Sequence, residues 1–451
     1  MLKSRLMGAL ISGILALAAI NAADAQDILI ENVTLVDGSG KPPRGEVSVL
    51  VGEGRILRVA DNAIDPSEGV KRIDGAGKYL IPGLIDTHIH LRGGRAYIQG
   101  GKSEKRNARA MGVAALASYL NSGVTSVYDA GNAPDYIMGL RDDERAARIA
   151  APRIFATGGI VTYPGSHGGG PGATLVDDWP EAIPALEEHL SHEPDVVKFT
   201  LEERGWGARP LIPMLPLDLF QTLIEFYNDN GVRTTVHASS ELRARQAIFA
   251  GVDTLAHVII QGPISENFAK LMGAKKIPMS TTLTIGENYS RLAEQPEYLD
   301  QPLYRAALSS EEIEELKTKT SQEYNERSWT WWMKIMTPIA QENLRQIHGA
   351  GGILAAGTDQ TIGPAVHREL ELLADAGIAP LDIITIATRN GAIFLGKDNE
   401  LGTVEVGKFA DLVLLNADPT VDINNAKQIH MVIKNGEIVD RPSLPLAGVV
   451  E

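Results

Sequence analysis

The stretch IPGLIDTHIHL, residues 81–91, is an apolar run that ends in two histidines separated by one isoleucine. Alternate side chains of a β-strand point to the same face, so His88 and His90 face one way and Ile89 the other. Two neutral imidazoles at one strand end form half of a metal site. A single histidine on an apolar face is usually a core residue, so the rest of the chain has to decide between these interpretations.

Seven more short apolar runs follow this one, separated by stretches with helical patterns. Alternating strands and helices predict βαβ units and a parallel sheet. Functional residue types stand near the C-terminal end of several runs, which favours a (β/α)8 TIM barrel over an open doubly wound sheet. The runs are GVTSVYDAG, RIFATGG, DVVKFT, VRTTVHA, VDTLAHV, IPMSTTL and GILAAGTD.

Four of these runs carry side chains that bind metals. His237, His257 and Asp359 stand near the ends of their runs, and Lys198 lies inside DVVKFT. Burying an ordinary charged lysine is costly. Burial beside two cations lowers the pKa of an amine, and a neutral amine reacts with carbon dioxide to give an anionic carbamate. The alternative for Lys198 is an ordinary surface lysine.

The order of these residues resembles the amidohydrolase superfamily, with His-x-His on the first barrel strand, Lys on the fourth, His on the fifth and sixth, and Asp on the eighth. GKYLIPGLIDTHIHL resembles the entry into the barrel of that superfamily, and ATRNGAIFLGKDNELGTVEVGKFADLVLLNADP resembles its exit helix and return strands. GVDTLAHV and HGAGGILAAGTD resemble the imidazolonepropionase-related branch, which includes zinc-dependent Xaa-Pro and Xaa-Arg dipeptidases.

The resemblance implies two divalent metal ions, with Zn²⁺ expected from nitrogen and oxygen ligands without thiolate. His88, His90 and Asp359 are expected to hold one ion, and His237 and His257 the other. Carbamylated Lys198 and a hydroxide are expected to bridge them. Asp359 is then also catalytic, taking a proton from the attacking hydroxide and passing it to the leaving amine.

The implied activity is hydrolysis of an amide or peptide bond in a dipeptide or N-acyl amino acid. The same pair of metals also acts on esters, lactones or phosphotriesters, and nothing in the strand ends separates these substrates. A non-catalytic barrel scaffold is a weaker alternative, because such relatives lack several ligands. Deaminase-type relatives usually use one metal without the lysine on the fourth strand, so Lys198 disfavours a deaminase.

Loop residues supply the candidate substrate contacts. Tyr163 and His167 lie in the glycine-rich stretch after the third strand, and His167 is also a candidate for a catalytic contact with the transition state. Arg204 and Arg209 follow Lys198 and are candidates to bind a substrate carboxylate. The segment 284–350 is a lid, a substrate wall or a structural excursion; it contributes Tyr289 and three candidate pocket tryptophans, Trp329, Trp331 and Trp332. Asp129 is a candidate hydrogen-bond partner of a ligating histidine.

The two ends of the chain share an alternating pattern with turn signals, seen in ILIENVTLVDGSG near the start and IHMVIKNGEIVD near the end. We expect residues 26–80 and 401–451 to form one small β-sandwich domain and residues 81–400 the barrel. Residues 1–25 have the basic start, apolar run and Ala-x-Ala ending of a signal peptide. The sequence therefore predicts a periplasmic or secreted protein that is not membrane-bound after cleavage.

Composition narrows the possible partners. The net charge is −15 and there is no basic cluster beyond the first few residues, which disfavours nucleic acid. The chain has no cysteine, so disulfides are excluded. A small-molecule substrate is expected, together with a possible homo-oligomer. No cofactor beyond metal is indicated, since no phosphate-binding Gly-x-Gly-x-x-Gly follows a strand.

Overall fold

The structure is a computed structural model that describes residues 27–204 and 211–449. The predicted signal peptide and Arg209 lie outside the described residues. Across these two ranges, no helix is long and apolar enough to span a membrane.

The strands run in two groups, one at the chain ends and one in the middle. Their bounds are β1 (Ile28–Leu35), β2 (Arg44–Gly52), β3 (Arg55–Ala60), β4 (Lys71–Asp74), β5 (Tyr79–Pro82), β6 (Leu84–Ile89), β7 (Val124–Asp129), β8 (Arg153–Ala156), β9 (Val161–Thr162), β10 (Thr174–Leu175), β11 (Val196–Thr200), β12 (Arg233–His237), β13 (Thr254–Leu255), β14 (Met279–Ser280), β15 (Leu354–Ala355), β16 (Leu412–Leu415), β17 (Ile429–Lys434) and β18 (Glu437–Ile438).

Helices separate the middle strands and cover them. Their bounds are α1 (Gly94–Gln99), α2 (Lys102–Asn121), α3 (Pro134–Arg145), α4 (Ile183–Ser191), α5 (Leu217–Asp229), α6 (Glu241–Ala250), α7 (Glu266–Lys275), α8 (Leu283–Glu294), α9 (Pro302–Ala307), α10 (Ser310–Glu315), α11 (Ser321–Glu326), α12 (Ser328–Gly349), α13 (Ala365–Asp375), α14 (Pro380–Ala387) and α15 (Arg389–Leu395).

Eight parallel strands form the predicted barrel: β6, β7, β8, β11, β12, β13, β14 and β15. The first three pair with one another, and the other five pair in chain order. Backbone hydrogen bonds join the two groups on both sides, from Thr87 N to Ala356 O (2.9 Å) and from Asp195 N to Ala156 O (2.9 Å). The carboxyl ends of all eight strands therefore meet at one mouth, where barrel enzymes carry their sites.

Strands from the two chain ends pair as the sequence predicts. They form one sheet in the order β18-β17-β16-β5-β1-β2-β3, with β4 paired to β1. Its buried side chains make a core of their own, which includes Ile30, Val49 and Leu412. In Pro82-Gly83, between this sheet and the first barrel strand, Gly83 lies so close to Thr125 that an added Cβ would overlap the threonine side chain.

The long connection between β14 and β15 is helical and packs on the barrel. Helices α8 to α12 account for most of it, and Met333 and Leu344 of α12 belong to the barrel core. A capping box begins α10, where Ser309 and Glu312 exchange hydrogen bonds. Ion pairs from Arg92 to Glu312 (2.6 Å) and from Arg368 to Glu287 (3.0 Å) tie the connection to the barrel mouth.

Candidate metal centre

Three of the predicted ligands converge at the junction of the first and eighth strands. Asp359 Oδ1 lies 3.5 Å from His90 Nε2 and 3.8 Å from His88 Nε2. Ligands about 2.1 Å from a tetrahedral zinc ion are roughly 3.4 Å apart, so this spacing suits one cation. His88, His90 and Asp359 are a possible metal-holding group, with ligand atoms within 4.8 Å of one another. The donor set therefore fits the ion that the sequence predicts.

Backbone carbonyls fix the orientation of both histidines. His88 Nδ1 donates to Ala256 O and His90 Nδ1 donates to Gly131 O, each at 2.8 Å. In a neutral imidazole with its proton on Nδ1, the Nε2 lone pair is free to bind a metal. Burial lowers the pKa of His90 to about 3 and that of His88 well below its ordinary value. Both rings are thus neutral and aimed at Asp359.

Lys198 lies in the middle of this group. Its Nζ is 2.9 Å from His88 Nε2, and the side chain is buried. Burial lowers the pKa of the Lys198 amine, although the nearby Asp359 acts in the opposite direction. The surface-lysine alternative is therefore wrong, because this amine is buried among predicted metal ligands.

Three further histidines extend the cluster across the mouth. The ring of His257 lies 4.4 Å from that of His88 and 4.5 Å from that of His237, measured between centroids. His167 stacks on His237 at 4.2 Å, and burial lowers the pKa of His167 to about 2. His237 and His257 thus lie beside His88 at the barrel mouth, and His167 adjoins them.

Asp359 is held in an unusual backbone conformation. Its φ is 53°, in the left-handed region that residues other than glycine seldom adopt. The preceding residue, Thr358, donates from its backbone N (3.0 Å) and its hydroxyl (2.8 Å) to the buried carboxylate of Asp86. Strained backbone of this kind concentrates at functional sites. Asp86 therefore anchors the loop that presents Asp359.

Contrary to the sequence prediction, Asp129 does not bond a ligating histidine directly but supports one through the backbone. Its carboxylate accepts hydrogen bonds from Leu91 N (2.9 Å), Gly131 N (3.1 Å) and the Asn132 amide (3.0 Å). The carbonyl of Gly131 is the group that binds His90. Asp129 thereby positions His90 by holding the loop that carries that carbonyl.

Glu202 is a buried carboxylate beside His237. Its Oε2 lies 3.5 Å from His237 Nε2, and the Ser239 hydroxyl also donates to it. Burial opposes ionisation of Glu202, but hydrogen bonds from His237, Ser239 and the Arg204 backbone outweigh it and lower the pKa of Glu202 to about 2. An anion therefore faces the ring of a predicted ligand.

The predicted substrate contacts fall into separate places. The ring centroid of Tyr289 on α8 lies 5.0 Å from that of Tyr324 and 6.4 Å from that of Trp329. Burial raises the pKa of Tyr289, and the nearby Asp359 adds to this effect. Tyr163 packs against the barrel core, whereas the Arg204 side chain is exposed. Trp332 is partly buried, and Trp331 is 65% exposed, which places it away from any enclosed pocket.

The remaining histidines make structural contacts or lie away from the mouth. His189 bonds Tyr227 Oη (2.8 Å) and Thr157 O (2.9 Å), and His367 donates to Ser122 O (3.0 Å). His348 pairs with Asp382 at 3.3 Å. His192 ends α4, and His430 lies in β17 of the small sheet.

Some site residues were not identified from the sequence. Asp86 offered a signal, because a carboxylate inside the apolar run LIDTHI is as anomalous as Lys198 inside its own strand. The sequence offered no such signal for Glu202, Thr282 or Glu369, because charged and hydroxyl side chains are common in loops and on helices. Thr282 Oγ1 lies 3.1 Å from His257 Nδ1, and only the folded chain shows that contact.

Comparison with known proteins identifies the family. Residues 79–439 match the amidohydrolase family, and the chain belongs to that family. Imidazolonepropionase from Geobacillus sp. (strain WCH70) is 31% identical over 113 residues, which cover 23% of this chain and 26% of that protein. The first curated relatives are matched over 14% to 29% of their own lengths.

Solved structures resemble nearly the whole chain. A Xaa-Pro dipeptidase crystallised with methionine in its active site superposes with a TM-score of 0.71 and 21% identity, covering 92% of this chain and 100% of that one. A protein described as a prolidase, from Bifidobacterium longum, gives a TM-score of 0.71 and 26% identity. The match covers 93% of this chain and 95% of that one. These likenesses confirm the barrel fold and the predicted branch, whose members are hydrolases acting on carbon–nitrogen bonds.

Proposed function

We propose that this protein is a metal-dependent hydrolase of an amide or peptide bond in a small molecule of the dipeptide or N-acyl amino acid type. The observation that carries the proposal is the buried Lys198 amine, 2.9 Å from His88 Nε2, inside a group of histidines and one aspartate. No structural role explains so many neutral ligand side chains around one buried amine. The dipeptidase and prolidase among the similar structures support it.

The residues that would hold two cations are those named from the sequence. His88, His90 and Asp359 would hold one ion, and His237 and His257 would hold the other. The Lys198 amine would add carbon dioxide and lose a proton, and the resulting carbamate would supply an anionic ligand between the two groups. Bound divalent ions, with Zn²⁺ as the first candidate, would polarise the substrate carbonyl and lower the pKa of the attacking water.

The chain itself supplies the proton transfers. The Asp359 carboxylate would take a proton from the attacking water and deliver it to the leaving amine nitrogen, which requires a group within reach of both. Neutral His167, stacked on His237, would donate an N–H to the carbonyl oxygen as it gains charge. Tyr289 and Trp329 would form an aromatic wall for the apolar part of the substrate.

The test is release of free amine by purified residues 26–451 from a panel of dipeptides and N-acyl amino acids. Each reaction would be run before chelation, after chelation and after zinc is restored. Turnover that chelation abolishes and zinc restores supports the proposal. If the protein does not turn over amides but does hydrolyse esters, lactones or phosphotriesters, the proposed bond type is wrong.

We also propose export to the periplasm or the medium, on the pattern of residues 1–25 alone. N-terminal sequencing of the exported protein should begin at Gln26. A protein retained at the membrane with its first residues intact would contradict this proposal.

A further inference from the structure

The backbone after β14 is strained at one buried threonine. Thr282 has φ 40° and ψ 40°, in the left-handed region, and its side chain is 1% exposed. A β-branched residue in this conformation is an outlier that persists only when its surroundings impose it. The surroundings of Thr282 must therefore impose this conformation.

A buried carboxylate imposes it. Glu369 of α13 is fully buried, and its Oε1 accepts from the Thr281 hydroxyl (2.6 Å) and Leu283 N (3.0 Å). Its Oε2 accepts from Thr284 N (2.8 Å) and from the Thr284 hydroxyl, which lies within short hydrogen-bond range. Four donors from residues 281, 283 and 284 thus converge on one anion and enclose residue 282 between them. The carbonyl of Gly357 binds Thr282 N at 3.0 Å from the other side.

The result of this conformation is a contact with a predicted metal ligand. Thr282 Oγ1 lies 3.1 Å from His257 Nδ1. When the threonine oxygen accepts the Nδ1 proton, the proton is fixed on that nitrogen and the Nε2 lone pair is left for a metal. Hydrogen bonds of this kind orient a ligating histidine and raise its affinity for the ion.

We infer that Glu369 is a positioning residue for the second metal ion: it holds the turn 281–284 so that the Thr282 hydroxyl fixes the tautomer and orientation of His257. This inference rests on the proposed metal site. Glu369 touches neither substrate nor His257, and acts through Thr282 alone. A purely structural reading makes Glu369 the cap of α8, with no effect on metal binding beyond general stability.

The experiment measures zinc affinity at the two sites by competition with a chelator. Glu369→Gln keeps the shape of the side chain but replaces one acceptor oxygen with a donor. Thr282→Val replaces the hydroxyl with a methyl group, and Thr282→Ser retains the hydroxyl. Asp195→Asn is the matched control, because Asp195 also binds a backbone N–H (Ala156, 3.0 Å) and two arginines, Arg141 and Arg145, away from the mouth.

We expect Glu369→Gln and Thr282→Val each to weaken one of the two zinc sites by roughly 10- to 100-fold and to leave the other near wild type. Thr282→Ser and Asp195→Asn should keep both affinities, although Asp195→Asn should unfold at lower temperature. Two zinc sites as tight as wild type in Glu369→Gln and Thr282→Val would overturn the inference. So would equal weakening of both sites, since the contact reaches only His257. A wild-type protein that binds no zinc would overturn the inference and the proposed function together.

Discussion

The Lys198 amine lies 2.9 Å from Nε2 of His88, and both side chains are buried. Burial lowers the pKa of both groups, and the Asp359 carboxylate lies 3.8 Å from the same Nε2. Without a metal the amine donates a hydrogen bond to Nε2, and that bond uses the lone pair with which His88 would bind a cation. Their arrangement is explained if the lysine carries a carbamate and both groups bind a cation.

Carbamylation of Lys198 is directly observable. Protein exchanged into ¹³C-bicarbonate and zinc should show one carbamate signal in its ¹³C spectrum. Lys198→Met should lack that signal and lose at least one zinc ion, because no bridging anion remains. Lys434→Met is the control, since Lys434 pairs with Glu144 in another part of the molecule and should keep the signal. An unchanged signal in Lys198→Met would show that the carbamate is elsewhere.

Asp359→Asn should lower kcat by at least roughly 100-fold, because an amide cannot accept and return the proton. The KM for the amide substrate should change much less. Steady-state kinetics with zinc in excess checks both values, and the zinc content of the variant must be measured alongside. Near-normal kcat in a variant that retains its metal would remove Asp359 from the proton transfer.

Gly357 lies against the strand that carries His88. An added Cβ would overlap Ser280 Oγ and approach His88 Cβ and Thr87 Oγ1 to 3.0 Å. Gly357→Ala should therefore cost about 1–3 kcal/mol of unfolding free energy and displace His88, with loss of zinc. Gly139→Ala, in the open space along α3, is the control and should retain full stability. Denaturant unfolding and zinc analysis of the two variants give the comparison.

His367 should make stability depend on pH. Burial, followed in importance by the nearby Lys427, lowers the pKa of His367 to about 4, below the ordinary value of 6.5. The unfolded chain then binds more protons than the folded chain between these two values, so stability is complete above pH 6.5 and falls as the pH drops towards 4. The loss should reach about 3 kcal/mol.

His367→Gln should remove that part of the pH dependence while its amide still donates to Ser122 O. Both proteins would be unfolded by denaturant, without metal, at a series of pH values. The informative quantity is the difference between the two curves, since every other histidine contributes equally to both. Parallel curves would mean that His367 does not titrate in the predicted range.

Sequence reasoning identified the side chains that end barrel strands because two rules act on them locally. Strand alternation places His88 and His90 on one face, and parallel strands gather their carboxyl ends at one mouth. Lys198 was identifiable because a charged residue inside an apolar strand has no ordinary explanation.

The anchoring residues could not be predicted in the same way. Helices α8 to α12 and strand β15 separate Thr282 from Glu369 along the chain, and only the packing of α13 against the turn brings them together. Arg204 and Trp331 show the reverse case, since their residue types suited a pocket and both proved exposed. Residues that act through tertiary contacts leave no periodic pattern along the chain.

We predict that two cations bind at the strand ends and share Lys198. Anomalous diffraction at the zinc edge, from crystals grown with zinc, would locate both ions. We predict two peaks at the barrel mouth, one among His88, His90 and Asp359 and one beside His237 and His257, with continuous density from Lys198 to both. A single peak, or none at these residues, would contradict the binuclear site.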